Sequence, residues 1–135
     1  MSSASSKRNQ AWCFTYNMPS DYTDVQAVTL CNALQAYFTQ QLSTIECYVF
    51  QAERGEQNQR PHVQGYIMFK SQKRFNAAKT FLSARPLDDT IHLEPAKGSR
   101  QDNFAYCSKE PRVSGNSFSF SIRVLFGVLL SCFSM

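Results

Sequence analysis

The fold is decided by residues 46–70, which read ECYVFQAERGEQNQRPHVQGYIMFK. Two segments of this stretch, Glu46–Glu53 and His62–Lys70, are rich in aromatic and β-branched residues, which favour β-strands. The polar segment between them, Arg54–Arg60, contains a glycine and an asparagine and is typical of a connection that reverses the chain. The stretch therefore predicts an antiparallel hairpin.

The sequence on either side of this hairpin predicts two more strands and three helices. Ala11–Asn17 alternates, with aromatic side chains on one side of a strand, and apolar steps of three and four residues predict a helix from Thr23 to about Leu42. The other predicted elements are a helix at Lys73–Leu82, a strand at Thr90–Glu94, and a helix that Ser99 and Asp102 cap and that runs to about Glu110. The order β-α-β-β-α-β-α predicts an α+β domain, in which one antiparallel sheet is flanked by helices in a ferredoxin-like arrangement.

The length of 135 residues suits one folded domain with extensions at both ends. We expect a flexible basic arm at residues 1–10, the domain at residues 11–112, and a linker with an atypical apolar tail at residues 113–135. The longest uninterrupted apolar run of the tail, Val124–Leu130, is far shorter than the roughly 20 residues that cross a bilayer. A membrane partner is therefore not expected, and the tail is predicted to be poorly ordered or loosely packed.

Charge and cysteine content narrow the class of protein only a little. A net charge of +4 and a pI near 8.9 are compatible with a polyanionic partner but do not require one. The five cysteines are odd in number and form no Cys-x-x-Cys pair, which speaks against a disulfide framework or a zinc knuckle. We interpret them as reduced thiols of an intracellular protein.

Three residues of the predicted hairpin are candidates for a metal site. His62 and Gln64 are two apart on a strand, so their side chains leave the same face of the sheet, and Glu53 ends the preceding strand across the hairpin. One carboxylate, one imidazole and one amide oxygen suit Mg²⁺ or Mn²⁺ better than Zn²⁺. Without further context, such a histidine more often serves in hydrogen bonding than in metal binding.

The last predicted helix carries a candidate nucleophile. Tyr106 and Lys109 are three residues apart and share a helix face. A phenol with a pKa of about 10 is a poor nucleophile at neutral pH, unless a nearby cation stabilises the phenolate. Taken alone, a surface tyrosine beside a solvated lysine is the more common situation.

Three short strings occur together in an order that resembles one family. Trp12–Asn17 (WCFTYN) resembles the first motif of rolling-circle replication initiators, Arg60–Tyr66 (RPHVQGY) resembles their His-x-Gln second motif, and Tyr106–Lys109 (YCSK) resembles their Tyr-x-x-Lys third motif. Glu53 stands nine residues before His62, where that family has its acidic ligand. The chain thus resembles the HUH endonuclease domain of the replication-associated (Rep) proteins of circular single-stranded DNA viruses, of the circovirus, nanovirus and alphasatellite kind.

This resemblance implies a fold, a reaction and partners. It implies a sheet of about five antiparallel strands that presents Glu53, His62 and Gln64, holding Mg²⁺ or Mn²⁺, opposite the helix with Tyr106. It also implies cleavage of single-stranded DNA in a viral origin hairpin, with Tyr106 joined covalently to the 5′ phosphate and Lys109 assisting, followed by rejoining of the ends. A homo-oligomer with other Rep subunits and a location in the host cell nucleus are further expectations.

Two departures from the family pattern are visible. Tyr16 stands where the first motif commonly has leucine, and no Gly-x-x-x-x-Gly-Lys loop for an ATP-driven helicase domain occurs in the sequence. The expected activity is therefore nicking and joining without unwinding of duplex DNA.

Contacts to the DNA strand are expected from basic residues and from the end of the first motif. The candidates are Asn17, Lys7, Arg8, Arg60, Lys73, Arg74, Lys97 and Arg100. Two alternatives remain open on the residues alone. One is a catalytically inactive module that binds origin DNA, and the other is an RNA-binding ferredoxin-like module, which predicts aromatic pairs displayed on the central strands.

Overall fold

The computed structural model describes residues 8–19, 21–54, 61–83, 91–106, 119–125 and 128–134. Its elements in chain order are β1 (Arg8–Asn17), α1 (Asp24–Gln40), β2 (Ile45–Arg54), β3 (Pro61–Arg74), α2 (Phe75–Leu82), β4 (Ile91–Pro95), α3 (Arg100–Tyr106), β5 (Ser119–Leu125) and β6 (Val128–Ser134). None of the helices in these ranges is long and apolar enough to cross a membrane.

The strands form one six-stranded sheet in the order β4-β1-β3-β2-β5-β6, and every neighbouring pair is antiparallel. Because β3 pairs with both β1 and β2, these two strands run parallel on either side of it. The elements β1-α1-β2-β3-α2-β4 with strand order 4-1-3-2 constitute a ferredoxin-like unit, so the predicted fold class is confirmed.

Helices α1 and α2 cover one face of the sheet, which we call the core face. The alternation predicted for β1 is confirmed, since Trp12, Phe14 and Tyr16 are buried and the residues between them are only partly covered. The buried side chains of the core face and its helices are Trp12, Phe14, Tyr16, Met18, Ala27, Cys31, Leu34, Phe38, Ile45, Tyr48, Phe50, Ala52, Val63, Ile67, Phe69, Ala78, Leu82, Ile91 and Leu93. Burial of this apolar area is the main source of the domain's stability.

Two tyrosine hydroxyl groups tie α2 to its neighbours, β1 and α1. The Tyr16 hydroxyl donates a hydrogen bond to the Leu82 carbonyl at 2.5 Å, and the Tyr37 hydroxyl donates to the Phe81 carbonyl at 2.9 Å. Burial raises the pKa of Tyr16 well above its ordinary value, so this phenol stays protonated and remains a donor. Tyr16, which stands where the first motif commonly has leucine, therefore holds the end of α2.

Several element boundaries differ from the sequence prediction. β1 begins at Arg8 rather than Ala11 because β3 continues to Arg74 and supplies partners for the earlier residues. The part of the predicted basic arm from Arg8 onward is thus strand. The predicted helix at Lys73 begins at Phe75 for the same reason. The helix predicted to run to about Glu110 is described as far as Tyr106, and the rest of its predicted length lies outside the described residues.

The tail differs most from its prediction. Instead of packing loosely, Ser119–Leu125 pairs with β2 and Val128–Ser134 pairs with β5, so that the sheet has six strands rather than about five. The alternation of serine with large apolar residues in SFSIRVL is the period-2 pattern of a strand that covers only one face. Four of the six strands come from the region predicted to be the domain.

Candidate functional site

The face of the sheet opposite the helices α1 and α2 carries the predicted metal ligands, and we call it the site face. Pairing places residue 53 of β2 directly opposite His62 of β3, and His62 directly opposite Asn17 of β1. We call residues that pair across neighbouring strands a row. In the next row on this face, two residues along each strand, Gln64 lies between Thr15 of β1 and Gln51 of β2. The register therefore brings the three predicted ligand positions to one end of one face.

The side chains of His62 and Gln64 are in direct contact. Gln64 Nε2 lies 3.2 Å from His62 Nε2, and both residues are half-buried. This contact allows His62 Nε2 to accept from the amide N–H with a lone pair, and an imidazole nitrogen with a lone pair is the form that ligates a metal. Rotation of the Gln64 amide by half a turn would bring its oxygen to the same point.

This donor pair fits a hard divalent cation. Two neighbouring ligands of an octahedral Mg²⁺, each about 2.1 Å from the ion, are about 3 Å apart, which is close to the separation observed here. For Glu53 the structure describes the backbone, and position 53 faces His62 in the register. Among the side chains that the structure describes, no three His, Cys, Asp or Glu groups cluster as a metal site, so the fit rests on a histidine, an amide and the register position of Glu53.

The short helix α3 lies over the site face and is attached by the side chain of Asn103. The Asn103 amide nitrogen donates to the carbonyls of Lys97 and Ser99, both at 2.9 Å, and its oxygen accepts from the Cys13 thiol of β1 at 3.3 Å. Burial and the nearby Glu94 carboxylate raise the pKa of Cys13 to about 11. The thiol therefore keeps its proton at neutral pH and remains the donor to Asn103.

The start of α3 is fixed by the predicted capping box. The Asp102 backbone nitrogen donates to the Ser99 hydroxyl at 3.0 Å, and the Ser99 backbone nitrogen donates to the Asp102 carboxylate at 3.2 Å. Gly98 precedes the cap with a φ of +80°, a conformation that side chains other than glycine rarely adopt. This turn directs the chain from β4 into α3 across the site face.

Tyr106 is the last residue of α3 and follows Asn103 by one helical turn. Residues three apart lie on the same side of a helix, so position 106 is on the side of α3 that contains the anchor to β1. The helix with the predicted nucleophile and the strands with the predicted ligands therefore share the site face. Lys109 lies outside the described residues.

Comparison with known proteins shows the family of this chain. Residues 9–110 match the family described as "Putative viral replication protein". This chain belongs to that family. Among its relatives are the replication-associated protein of Beak and feather disease virus, 38% identical over 73% of this chain, and that of Porcine circovirus 2, 31% identical over 76% of this chain. The master replication protein of Banana bunchy top virus is 34% identical over 56% of this chain.

The match with the viral replication proteins covers only part of each relative. It spans 28% of the length of the two circovirus proteins and 24% of the nanovirus-type protein. The resemblance to Rep proteins of circular single-stranded DNA viruses is thereby confirmed at the level of the family. Strands β5 and β6 follow the matched region and are a feature of this chain outside it.

The predicted DNA-contacting residues fall into two groups. Asn17 is exposed in the row of His62, and Lys97 is exposed beside α3. Arg8, Lys73 and Arg74 pair at the other end of β1 and β3, about 30 Å away from the His62–Asn17 pair along β1. The structure therefore does not bring these three to the candidate site, and the Lys73 ammonium lies 5.0 Å above the Phe69 ring. Arg100 begins α3, while Lys7 and Arg60 lie outside the described residues.

Two features of the strands that carry the site, one on each face of the sheet, were missed by the sequence analysis. Cys13 and Asn103 are 90 positions apart, and only the fold reveals that one anchors the other. A glycine in the second motif is also required sterically, because a Cβ atom on Gly65 would overlap the Phe14 ring. An asparagine in a capped short helix and a glycine on a strand are ordinary sequence features, and neither signals a role.

Proposed function

We propose that this chain is a sequence-specific single-stranded DNA endonuclease and strand transferase that initiates and terminates rolling-circle replication of a circular viral genome. The observation that carries the proposal is the shared site face. Position 53, His62 and Gln64 converge at one end of the sheet, and α3, which ends at Tyr106, is anchored to the same face. The named activities of the relatives, replication-associated and master replication protein, agree with it.

The proposed site holds Mg²⁺ or Mn²⁺ through Glu53, His62 and Gln64. When bound, such a cation withdraws charge from a phosphate oxygen and so makes the phosphorus more electrophilic. The contribution of the chain is to present an imidazole lone pair and an amide oxygen from a rigid central strand, with the carboxylate from its neighbour. Ligands on paired strands cost little to organise, because the sheet already fixes their backbones.

In the proposed reaction the Tyr106 phenol loses its proton and its oxygen bonds to phosphorus, while the bond between phosphorus and the 3′ oxygen breaks. The products are a 5′-phosphotyrosine and a free 3′ hydroxyl. Attack by a 3′ hydroxyl on the phosphotyrosine reverses these bond changes and rejoins the strand without an energy source. Lys109 would stabilise the phenolate by its positive charge.

The expected partners follow from this reaction. The substrate is single-stranded DNA exposed in an origin hairpin, the chain acts in the host cell nucleus, and other Rep subunits associate with it as a homo-oligomer. Asn17 and Lys97 are the described candidates for strand contacts near the site. The remote basic group of Arg8, Lys73 and Arg74 would contact phosphates of a more distant part of the DNA.

The RNA-binding alternative is disfavoured by the position of the aromatic side chains. That alternative needs aromatic rings displayed on the central strands, on which bases stack. Here Trp12, Phe14, Tyr48 and Phe50 are buried beneath the helices, and Tyr66, the aromatic residue on the described site face, is only 2% exposed.

A covalent-adduct assay tests the proposal. The chain is incubated with a single-stranded origin oligonucleotide and Mn²⁺, and a DNA-shifted protein band is sought on a denaturing gel. We expect an adduct that EDTA abolishes and that Tyr106→Phe eliminates, while Tyr22→Phe, a half-buried control tyrosine outside the site face, retains it. His62→Ala should eliminate cleavage but keep DNA binding, whereas His92→Ala should retain the adduct.

The same assay separates the alternatives. An adduct that persists in Tyr106→Phe would refute the assignment of the nucleophile, and unchanged cleavage in His62→Ala would exclude His62 as a ligand. Binding of the oligonucleotide without any adduct in the unmodified chain would indicate the catalytically inactive origin-binding module.

A further inference from the structure

The remote basic group lies next to an irregularity in strand β3. Pairing with β1 passes from Ala11↔Met68 to Asn9↔Lys73, so β3 advances five residues where β1 advances two. The extra residues of β3 form a bulge, and the side chains of residues 70–72 within it are exposed. The bulge therefore presents one hydroxyl group, that of Ser71, to solvent.

Positive charge surrounds this hydroxyl group. Lys70 directly precedes Ser71, and Lys73 and Arg74 follow it by two and three residues. The Lys73 ammonium lies 5.0 Å from the centre of the Phe69 ring, so the Lys73 side chain runs back along the strand past the position of Ser71. None of these cations forms an ion pair with a side chain that the structure describes. A phosphate on Ser71 would thus have cations within reach.

The end of the β1–β3 ribbon is also suited to a phosphate by its own repulsion. Arg8 of β1 pairs directly with Arg74 of β3, and both are exposed. Like charges directly opposite each other destabilise a strand pair. Glu46, which follows Ile45 of the Ile45–Phe69 pair, supplies one negative charge near this end and leaves it positive. A phosphate relieves the repulsion, and it accepts paired hydrogen bonds from arginine.

This phosphate can come from two sources. One is the DNA backbone, as proposed above, and the other is Ser71 after phosphorylation. A phosphoserine adds about −1.5 to −2 charges and three acceptor oxygens, which offsets about half of the charge of the remote basic group and Lys70. Because it is tethered beside the cations, its effective concentration is on the order of millimolar. The two sources therefore compete for the same cations.

We propose that Ser71 is a phosphorylation site, and that its phosphate occupies the remote basic group and releases the DNA held there. The inference rests on the proposed function, because it regulates a DNA contact of that function. Ser99 is also exposed and lies between cations, but its hydroxyl group caps α3. The bulge leaves Ser71 accessible, and the flanking cations suit a protein kinase with an acidic substrate groove.

The modification is an ordinary phosphoryl transfer. The Ser71 oxygen bonds to the γ-phosphorus of ATP, and the bond between that phosphorus and the bridging oxygen of ADP breaks. The hydroxyl proton passes to the catalytic aspartate of the kinase. The products are phosphoserine at position 71 and ADP.

Phosphorylation of the folded chain tests the assignment of the residue. The unmodified chain is incubated with ATP and protein kinase C, which favours basic substrates, and modified residues are located by mass spectrometry. We expect phosphate on Ser71, and a loss of this signal in Ser71→Ala with the other modified residues unchanged. Absence of phosphate on Ser71 would overturn its assignment as a modification site.

A binding measurement tests the effect of the phosphate. The chain is produced with phosphoserine incorporated at position 71 and with Tyr106→Phe, and its Kd is measured for two single-stranded oligonucleotides. The short one covers the nick, and the long one extends about ten nucleotides further on both sides, which spans the distance of about 30 Å to the remote basic group. We expect the long oligonucleotide to bind at least fivefold more weakly, with a salt dependence that is shallower by about one to two units of slope. The Kd for the short one should stay unchanged.

Matched variants make this measurement specific. Asn32→phosphoserine adds the same charge at an exposed position of α1 and should leave both Kd values unchanged. In an Arg74→Gln background the phosphate should cost less affinity than in the unmodified background, because the phosphate and the DNA share this cation. Equal Kd values for the long oligonucleotide with serine and phosphoserine at position 71 would overturn the proposal, and so would equal losses for the two lengths. Absence of any adduct between the unmodified chain and the short oligonucleotide would instead count against the proposed function.

Discussion

The two faces of the sheet are built by different interactions. On the core face, helices α1 and α2 bury large apolar side chains, several of which pack with their rings edge to face. On the site face, the described attachment of α3 consists of hydrogen bonds from one asparagine and a capping box. The larger buried cluster is on the core face, while the site face has a smaller one of Cys47, Val49 and Tyr66. Because α3 belongs to neither cluster, the helix with the proposed nucleophile can adjust without loss of the fold.

Trp12→Ala gives the largest expected loss of stability. Trp12 is 0% exposed and packs edge-on against Phe75 with ring centroids 6.0 Å apart. Removing a buried aromatic side chain leaves a cavity and should lower the free energy of unfolding by about 3–5 kcal/mol. Urea unfolding followed by circular dichroism measures this loss.

Val25→Ala is the control for that substitution, because Val25 is 75% exposed on α1. Its free energy of unfolding should stay within about 0.5 kcal/mol of the unmodified chain. A loss below 1 kcal/mol for Trp12→Ala would show that the core face contributes less than its burial indicates.

Asn103→Ala should produce a smaller change in stability but a clear change in rate. The substitution removes the hydrogen bond that joins α3 to Cys13 of the sheet and two that join it to the carbonyls of the preceding loop. Because α3 can open locally while the core persists, the free energy of unfolding should fall by less than about 0.5 kcal/mol, whereas a displaced nucleophile should slow cleavage about tenfold or more. Single-turnover cleavage is measured with Tyr106 present, and the Kd for the oligonucleotide is measured on a Tyr106→Phe background. Together the two measurements separate the rate from binding.

Two matched variants make the Asn103 test specific. Asn32→Ala, an exposed asparagine on α1, should leave the rate unchanged. Cys13→Ser keeps a donor for Asn103 and should cleave faster than Cys13→Ala, which removes it. If Asn103→Ala weakened DNA binding and cleavage by the same factor, its role would be in binding the strand and not in positioning α3.

Local sequence patterns predicted most of the fold because each depends on near neighbours. The period-2 alternation at Trp12–Tyr16 and the Ser99–Asp102 capping pair are both found as predicted. The extension of β1 to Arg8 could not be read from the sequence, because it depends on a distant partner strand. The alternating pattern of β5 was present, but the apolar character of the tail obscured it.

The candidate site was predictable only in part. The His62–Gln64 spacing on a strand fixes a shared face, and their contact follows from it. The grouping of Arg8, Lys73 and Arg74 away from His62 was not predictable, since charge on a strand does not reveal which end of the sheet it occupies. The cavity lined by Thr15, Gln64 and Asn103 and the Cys13–Asn103 hydrogen bond both bring together residues that are far apart in sequence. No local pattern encodes either of them.

The capping boxes of α1 and α3 give the sharpest comparison between the faces, and the box of α3 gives the smallest expected effect on overall stability. Thr23 and Ser99 make the same reciprocal bonds, with Gln26 and Asp102. Thr23→Ala should lower the free energy of unfolding by about 1 kcal/mol, because α1 unfolds together with the core. Ser99→Ala should change it by less than about 0.3 kcal/mol, because the seven-residue α3 can open locally while the core persists.

Hydrogen exchange provides the measurement that distinguishes these two cases. In Ser99→Ala, amide exchange in α3 should accelerate about fivefold, which corresponds to about 1 kcal/mol of local stability, while exchange in β1 and β3 stays constant. In Thr23→Ala, exchange should instead accelerate throughout the core, because the strands and α1 open as one unit. An equal loss of global stability in both variants would mean that α3 unfolds only with the sheet, and the nucleophile helix would then be as firmly held as the helices of the core face.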